Sequence, residues 1–261
     1  MAVLRSPLVV TISVWKALFL REAVARISAT RTAWVWLLLE PAFHITLLMF
    51  IFTVIRQRHV GGINTPLWVM VGLLAFFMFR RSATQAQNAI SANQALFAYR
   101  QVKPVDTVMV RAGVEGFLMT VIAILLFSVA GFFGLDVIQA DPLAALEAFV
   151  GLWMFGLGFG LVVSVAIELV PEFGKILGML MAPLYFISGV IFPVGKAPPP
   201  YREWLLLNPI AHGIEATRLG FAPYYHAFPE LSLGYLYTVA TATIFFGLML
   251  QRRFALRLVA R

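Results

Sequence analysis

Six long apolar stretches, separated by polar segments, dominate the chain. A helix needs about 20 mainly apolar residues to cross a bilayer, and each stretch is close to that length. None of them alternates apolar and polar residues with a period of two, so transmembrane β-strands are not favoured. The pattern predicts six membrane-spanning helices, at Thr32–Ile55, Asn64–Arg81, Thr107–Phe133, Pro142–Ile167, Gly174–Val194 and Leu231–Gln251.

The segment Leu8–Leu20 differs from these six because it is shorter and is interrupted by Lys16. Its apolar residues recur at helical spacing, and basic residues follow it. An amphipathic helix of this kind lies in the membrane interface and does not cross the bilayer. Lys16 also argues against a signal peptide, whose apolar core carries no charge. The apolar stripe is Leu8, Ile12, Trp15 and Phe19, and the basic residues are Arg21, Arg26 and Arg31.

Composition supports a membrane protein. Hydrophobic residues make up 61% of the 261 residues and charged residues 12%, with no cysteine, whereas soluble domains carry about 25% charged residues. These values exclude an ordinary globular enzyme, a disordered regulator and a disulfide-stapled secreted domain. The fold class is therefore an all-α polytopic membrane protein. The net charge of +8 does not indicate nucleic-acid binding, because such proteins carry basic residues on water-soluble surfaces.

The basic residues predict the orientation of the spans. Lys and Arg are enriched in cytoplasmic loops. Fifteen of the 20 fall before the first span, in the second and fourth connections or at the span ends that flank them, and after the last span, and five fall in the alternate connections. Both termini are therefore expected in the cytoplasm. The protein is expected to be a multi-pass protein of the inner (cytoplasmic) membrane.

Two regions outside the spans stand out. The predicted cytoplasmic stretch after Arg80 opens with small and polar residues that continue the second span as a helix, and then turns at Tyr99–Asp106, where Pro104 stops a helix or opens a new one. The stretch Lys196–Glu230 holds six prolines and six aromatic residues, which suits external re-entrant half-helices. As one transmembrane domain, the chain divides into an interfacial helix (1–31), five spans with the turn 96–106 (32–194), the re-entrant segment (195–230), the sixth span (231–251) and a cytoplasmic tail (252–261).

Catalytic and metal-binding motifs are missing from the sequence. Four histidines and no cysteine provide no zinc or iron–sulfur spacing. The closest approach to a phosphate loop, Gly189–Ala197, has one residue too many and no Ser or Thr after Lys196. We therefore expect no catalytic residue, no bound metal and no nucleotide hydrolysis in this chain.

Charged residues inside spans are costly and often functional. Glu40 precedes Pro41 and lies four residues before His44, and its interpretation stays open between a pathway residue and a carboxyl group satisfied by a neighbouring helix. For His44 we favour a packing role. Glu115 follows Arg111 by four residues, which favours an ion pair within one helix.

Aromatic residues are numerous in the first and fifth spans. They either face lipid or form a stacking surface for sugar rings, and hydropathy does not decide between these roles. The aromatic residues considered for a substrate path are Trp34, Trp36, Phe43, Tyr185, Phe186 and Phe192.

Three separated blocks of residues together resemble one family. The first block is Arg21-Glu22 with Arg26, followed by Glu40-Pro41. The second runs from Leu96 through Tyr99, Arg100, Gln101, Val102, Lys103 and Pro104 to Asp106, followed by Arg111 and Glu115. The third is Leu207-Asn208-Pro209 with His212, Glu215, Arg218 and Gly220. The chain resembles the transmembrane subunit of ABC exporters for capsular and related cell-surface polysaccharides.

The resemblance implies a half-transporter that works as a homodimer. A separate cytoplasmic ATPase, present in two copies, would bind ATP and Mg, and this chain would bind no cofactor. The cargo would be a lipid-linked, usually anionic polysaccharide, and in Gram-negative members a periplasmic co-polymerase-like protein and an outer-membrane partner join the exporter. The second block would dock the ATPase, with Arg100 standing where the family commonly has proline.

The resemblance also groups further residues by role. The expected substrate path adds Arg21, Arg26, Glu40 and His44 to the aromatic set above. The partner of the basic residues Arg21, Arg26 and Arg31 stays open between an anionic substrate and anionic lipid head groups. The external re-entrant segment contributes Tyr201, Trp204, Asn208, Pro209, Glu215 and Arg218.

Two alternatives remain at this stage. The cargo of the same transporter class could be O-antigen, teichoic acid or a small molecule. A different class, an intramembrane acyl- or glycosyl-transferase, would need a polar catalytic cluster, for which Glu40 and His44 are the candidate pair.

Overall fold

A computed structural model of the chain describes residues 6–28, 32–55 and 59–259. Helices account for nearly all of the regular structure in these ranges, so the chain is an all-α polytopic membrane protein. The α-helices are α1 (Pro7–Ser28), α2 (Ala33–Ile55), α3 (Thr65–Gln87), α4 (Pro104–Phe132), α5 (Pro142–Leu169), α6 (Glu172–Ile187), α7 (Tyr201–Leu205), α8 (Pro209–Phe221), α9 (Leu233–Arg253) and α10 (Ala255–Val259). Short 3-10 helices cover Ser91–Ala98 and Val194–Lys196, and the antiparallel strands β1 (His59–Val60) and β2 (Ile63–Asn64) form a hairpin.

Each of the six predicted spans corresponds to a helix. Among the described residues, α3, α4, α5 and α9 are long and apolar enough to cross a membrane, and α2 contains the shorter apolar stretch Leu39–Phe52. The helix of the second span continues to Gln87, as the polar residues after Arg80 predicted. The predicted opening of a new helix at Pro104 is also confirmed, because α4 begins at that residue.

The predicted end of the fifth span at Val194 is wrong. Helix α6 has 16 residues and ends at Ile187, so it is only about 24 Å long. The chain turns at Gly189, whose φ of 73° lies in the left-handed region that favours glycine. Hydropathy continues through this turn, because Val190–Phe192 are apolar, and therefore could not locate it. Phe192, predicted inside the fifth span, lies beyond the helix and is half-buried.

Helix α3 lies at the centre of the molecule and packs against α2, α4, α5 and α8. Its large side chains, such as Trp68, Phe76 and Phe79, are fully buried. Helix α9 packs along α5 on the outside of this arrangement. Helix α3 therefore forms the core around which α2, α4, α5 and α8 are arranged.

Small residues allow α5 to approach its neighbours closely, as is common in membrane helices. A Cβ atom at Gly160 would overlap the Cβ of Ala86 on α3, and one at Gly158 would overlap Thr243 on α9. A Cβ at Gly156 would come within 2.8 Å of the Phe79 carbonyl oxygen. The glycines of α5 therefore serve helix packing.

We expect Gly160→Leu to destabilise the protein by about 1–3 kcal/mol, because overpacking forces α3 and α5 apart. The measurement is thermal unfolding in an uncharged detergent. Gly178→Leu on α6 is the matched control, since a Cβ there would meet no other part of the described chain within 4 Å. Equal unfolding temperatures for the two variants would contradict this account of the α3–α5 contact.

The connections define two ends of the molecule. The turn end carries residues 88–103 between α3 and α4, together with α1 and α10, whose Leu258 is buried there. The re-entrant end carries residues 188–232 between α6 and α9. Helix α8 at this end has 13 residues, about 20 Å, which is too short to span a bilayer of about 30 Å.

Helix α8 is a short helix within the segment where the sequence predicted re-entrant half-helices. It lies beside the first half of α5, where a Cβ at Gly213 would meet Leu152 and one at Gly220 would meet Ala145. Nearly all of its residues are buried. The backbone of this half-helix is therefore enclosed by protein, as its depth requires.

Candidate functional site

An exposed turn lies at the tip of the turn end. The 3-10 helix Ser91–Ala98 ends at Tyr99, whose amide donates to the Leu96 carbonyl oxygen at 3.0 Å. The Val102 amide then donates to the Tyr99 carbonyl oxygen at 2.9 Å and closes the turn. The Tyr99 side chain is 67% exposed, and Arg100, Gln101 and Lys103 are exposed as well. Leu96 and Val102 are half-buried against the helices behind the turn.

Two residues predicted to dock the ATPase lie inside the protein. Pro104 is buried at the first position of α4, and Asp106 is buried with both carboxylate oxygens occupied. One Asp106 oxygen accepts from the Lys103 amide at 2.9 Å, and the other accepts from the Trp15 indole at 2.8 Å. Asp106 thus fixes the end of the turn to the start of α4 and to α1.

Helix α1 is bound to the turn end along its length. Leu18 is buried against Val110, Val114 and Leu118 of α4. Arg21 donates to the Asn93 side-chain oxygen in the 3-10 helix. The predicted stripe is divided: Leu8 and Ile12 are 75% and 64% exposed, whereas Trp15 donates to Asp106 and Phe19 packs with Leu18 against α4.

Charged residues of α1, α3 and α4 form a mixed cluster, here called the arginine–glutamate cluster. Arg26 donates to Glu115 at 2.6 Å, and Arg81 donates to the other Glu115 oxygen at 3.3 Å. Arg111 donates to Glu22 at 2.6 Å. Glu115 is fully buried, so it depends on these two guanidinium groups for its charge.

The predicted ion pair between Arg111 and Glu115 is therefore wrong. Both residues lie on α4 at the expected spacing, but each is paired with a charge from another helix. The guanidinium group of Arg26, which was expected to meet substrate, is instead bonded within the protein. It donates to Glu115 and to the Gln85 side-chain oxygen, both at 2.6 Å.

We expect Glu115→Gln to destabilise the protein by about 2–3 kcal/mol, because it leaves Arg81 without a negative partner and leaves Arg26 only Glu22, 3.5 Å away. Unfolding in detergent measures the change. Glu147→Gln, an exposed position on α5, is the control and should have little effect. Similar losses for the two variants would show that the cluster does not hold α1 in place.

A polar cavity of about 350 Å³ lies between α2 and α3 near the turn end. It brings together the two intramembrane residues singled out by the sequence, Glu40 and His44. The cavity is lined by Glu40, Pro41, His44, Phe77, Arg80, Arg81, Thr84 and Gln85. The His44 ring packs edge-on against Phe77, with centroids 5.4 Å apart.

The aromatic residues of the expected path do not form one surface within a single chain. Trp36 and Phe43 are 63% and 67% exposed on the outer face of α2, and the side chain of Trp34 lies outside the described residues. On α6, Tyr185 packs edge-on between Phe76 and Phe186, with centroids 5.2 Å and 5.5 Å away. Phe186 itself is exposed.

A buried arginine organises the re-entrant end. Arg218 of α8 is fully buried and donates to Glu215 at 2.8 Å. It also donates to the carbonyl oxygens of Gly189 and Val190, both at 2.9 Å. Its guanidinium group lies 3.6 Å from the centre of the Trp68 ring on α3. Arg218, which the charge count placed in an external loop, therefore joins α8, α3 and the turn after α6.

The hairpin β1–β2 covers this centre. The Trp68 indole donates to the Tyr225 hydroxyl at 3.2 Å, and the Tyr225 ring fills the space beside Gly61. Gly61 and Gly62 both have positive φ, at 59° and 94°, which suits a two-residue hairpin turn. Burial raises the pKa of Tyr225 to about 12, so its hydroxyl stays protonated.

The other residues predicted in the re-entrant segment have separate roles. Asn208 caps α8, accepting from the Ile210 amide at 3.0 Å, and donates to Ser188 at 2.9 Å. Pro209 takes the first helical position, where no amide proton is needed. Tyr201 and Trp204 of α7 are 60% and 66% exposed and pack edge-on at 6.0 Å.

Sequence reasoning missed Arg80 and Arg81 as site residues. Both were counted as loop charges, although the adjacent pair sits where the helix continues beyond the apolar stretch. The signal that could have found them is the helix continuation itself, which places Arg80 opposite Glu40 at a similar distance from the turn end.

The fold is that of an all-α polytopic membrane protein with an exposed turn at one end. Residues 13–222 match the family described as the ABC-2 type transporter, and the chain belongs to that family. Membership implies an ATPase partner and a permease that is not itself an enzyme. It also decides against the transferase alternative.

Several curated proteins are similar along most of their length. "Polysialic acid transport protein KpsM" of Escherichia coli is 36% identical over 91% of this chain and 92% of its own. "Capsule polysaccharide export inner-membrane protein CtrC" of Neisseria meningitidis serogroup B is 30% identical over 78% and 77%. "Capsule polysaccharide export inner-membrane protein BexB" of Haemophilus influenzae is 28% identical over 92% and 90%.

Proposed function

We propose that the chain is the membrane-spanning subunit of an ATP-driven exporter that moves a lipid-linked, anionic capsular polysaccharide across the inner membrane. The cargo is supported by similarity to proteins named for polysialic acid transport and capsule polysaccharide export. The observation that carries the proposal is the exposed turn Tyr99–Lys103 at the turn end of the molecule, where contacts of Asp106 and Glu115 hold α1, α3 and α4 together. Such a turn suits a partner that supplies the energy for transport.

In this proposal the ATPase docks on the exposed side chains of the turn. Tyr99 is the central anchor, since exposed aromatic residues that fit a pocket contribute most to interfaces. Arg100, Gln101 and Lys103 surround it, and Leu96 and Val102 support it from behind. Pro104 and Asp106 act through the turn's geometry and have no direct contact with the partner.

The route for motion starts at the turn. Asp106 ties the turn to α1 through Trp15, and Glu115 ties α1 and α3 to α4. Closure of the ATPase would therefore move α1, α3 and α4 together. The polar cavity between α2 and α3 lies directly beside this connected group.

The proposal includes two copies of this chain and two copies of the ATPase, which binds ATP and Mg, while this chain binds no cofactor. Both termini lie in the cytoplasm, in accord with the distribution of basic residues. The exposed aromatic residues Tyr201 and Trp204 face the other side, where a periplasmic co-polymerase-like protein and, beyond it, an outer-membrane partner would act.

Deletion of the gene tests the function. We expect the capsule to disappear from the cell surface while lipid-linked polymer accumulates in the cytoplasm, and we expect the wild-type gene to restore export. A deletion strain that keeps its capsule, or that instead loses O-antigen or teichoic acid from the surface, would contradict the proposed cargo.

A further inference from the structure

The polar cavity between α2 and α3 contains an arginine without a counter-ion. Arg81 and Arg26 are paired with Glu115, and Arg111 is paired with Glu22. Arg80 has no carboxylate within 4 Å among the residues that the structure describes, although Glu40 lines the same cavity. Arg80 is exposed in the single chain, so its guanidinium group is available to an anionic partner from outside the chain.

The depth of the cavity suits a lipid head group. Arg80 lies seven residues from the end of α3 and Glu40 seven residues from the start of α2, so both lie about 10 Å from the helix ends at the turn end. Thr84 and Gln85 line the cavity closer to those ends, and Phe77 and His44 lie deeper. The cavity thus passes from polar to aromatic as it enters the membrane.

The surroundings favour a ligand with an apolar tail. On α2, Phe43 directly precedes the lining residue His44 and Leu47 follows it by one helical turn, and the two side chains are 67% and 44% exposed. If the charged head group of a ligand binds Arg80, these apolar side chains would therefore lie near its hydrocarbon tail.

We propose that this cavity binds the phosphate ester of an inner-leaflet lipid, with Arg80 as its principal ligand. A guanidinium group forms strong charge-assisted hydrogen bonds to phosphate. Arg81 adds positive charge, and Glu40 on the facing helix accepts hydrogen bonds from hydroxyl groups of the adjoining glycerol or sugar. This deepens the proposed function, on which it rests, by placing the lipid-linked end of the cargo at a defined position.

Binding of dodecyl phosphate to the full-length chain, purified in an uncharged detergent, tests the proposal. We expect saturable binding that Arg80→Ala weakens at least tenfold and Arg80→Lys weakens less. Arg252→Ala, an exposed arginine near the end of α9, is the matched control and should bind as the wild type does. Thr84→Phe fills the cavity without removing a charge, and should also weaken binding at least tenfold.

Three results would overturn the proposed lipid site. Unchanged binding by both Arg80→Ala and Thr84→Phe, or an equal loss in Arg252→Ala, would overturn the site. Inorganic phosphate that binds as tightly as dodecyl phosphate would assign the cavity to free phosphate and overturn the lipid. If Arg80→Ala does not fold, Thr84→Phe and Arg80→Lys carry the test.

The site and the function fail separately. A strain that keeps its capsule without this gene, although the purified chain binds dodecyl phosphate through Arg80, would overturn the exporter and retain the site. Accumulation of polymer in the deletion strain, together with normal binding by Arg80→Ala, would retain the exporter and overturn the site.

Discussion

Replacing Tyr99 by alanine and Arg100 by glutamate is expected to release the ATPase from the complex. Truncating a central aromatic anchor costs about 2 kcal/mol or more, and a reversed charge beside it adds repulsion. Together they should lower affinity at least a hundredfold and abolish co-purification from detergent extracts. Export of the polymer should be lost with it.

This result can be separated from misfolding. Tyr99 is 67% exposed and Arg100 is exposed, so the unfolding temperature of the double variant should match that of the wild type. Tyr224→Ala is the matched control, because Tyr224 is 66% exposed at the opposite end of the molecule. An ATPase that stays bound to the Tyr99/Arg100 variant would show that the turn is not the docking site.

The largest effect on stability is expected from Arg218→Met. The change keeps most of the side-chain length but leaves Glu215 buried without its cation and two carbonyl oxygens without their donor. Breaking a buried ion pair costs about 3–5 kcal/mol. Thermal unfolding in detergent should therefore occur at a much lower temperature, and the yield of folded protein should fall.

Two further variants test whether the loss of the buried ion pair causes the lower stability of Arg218→Met. Arg202→Met breaks the ion pair of Arg202 with the exposed Glu230 and should change stability by less than about 1 kcal/mol. Arg218→Met combined with Glu215→Gln should recover part of the loss, because no unpaired charge remains buried. Wild-type stability in Arg218→Met would contradict the assignment of Arg218 as the organising residue of the re-entrant end.

Much of the fold could be predicted because bilayer thickness sets the length of an apolar helix. Long spans such as α4 and α5 were located to within three residues at each end. The end of α6 was not, because the turn at Gly189 depends on a backbone conformation within an apolar run. Short half-helices between Lys196 and Glu230 were predicted from the prolines and aromatic residues of that segment, but the burial of α8 against α5 was not.

The candidate site was less predictable, because its contacts join residues distant in sequence. Glu115 and Arg111 have the spacing of a helical ion pair, yet tertiary partners 34 and 89 residues away replace it. Arg218 reads as an external loop charge until α3 and the α6 turn close around it. The exposed turn at Tyr99 was the feature that local sequence located best, since the start of the next helix at Pro104 depends on the local sequence and not on tertiary packing.

Transport into inside-out membrane vesicles tests the central claim most directly. Vesicles that contain this chain and its ATPase should take up labelled lipid-linked capsular polymer when ATP is added, and not with a non-hydrolysable analogue. Vesicles with the Tyr99→Ala, Arg100→Glu variant should take up none, while Tyr224→Ala vesicles should match the wild type. ATP-dependent uptake that is equal with and without this chain, or unchanged in the turn variant, would contradict the account.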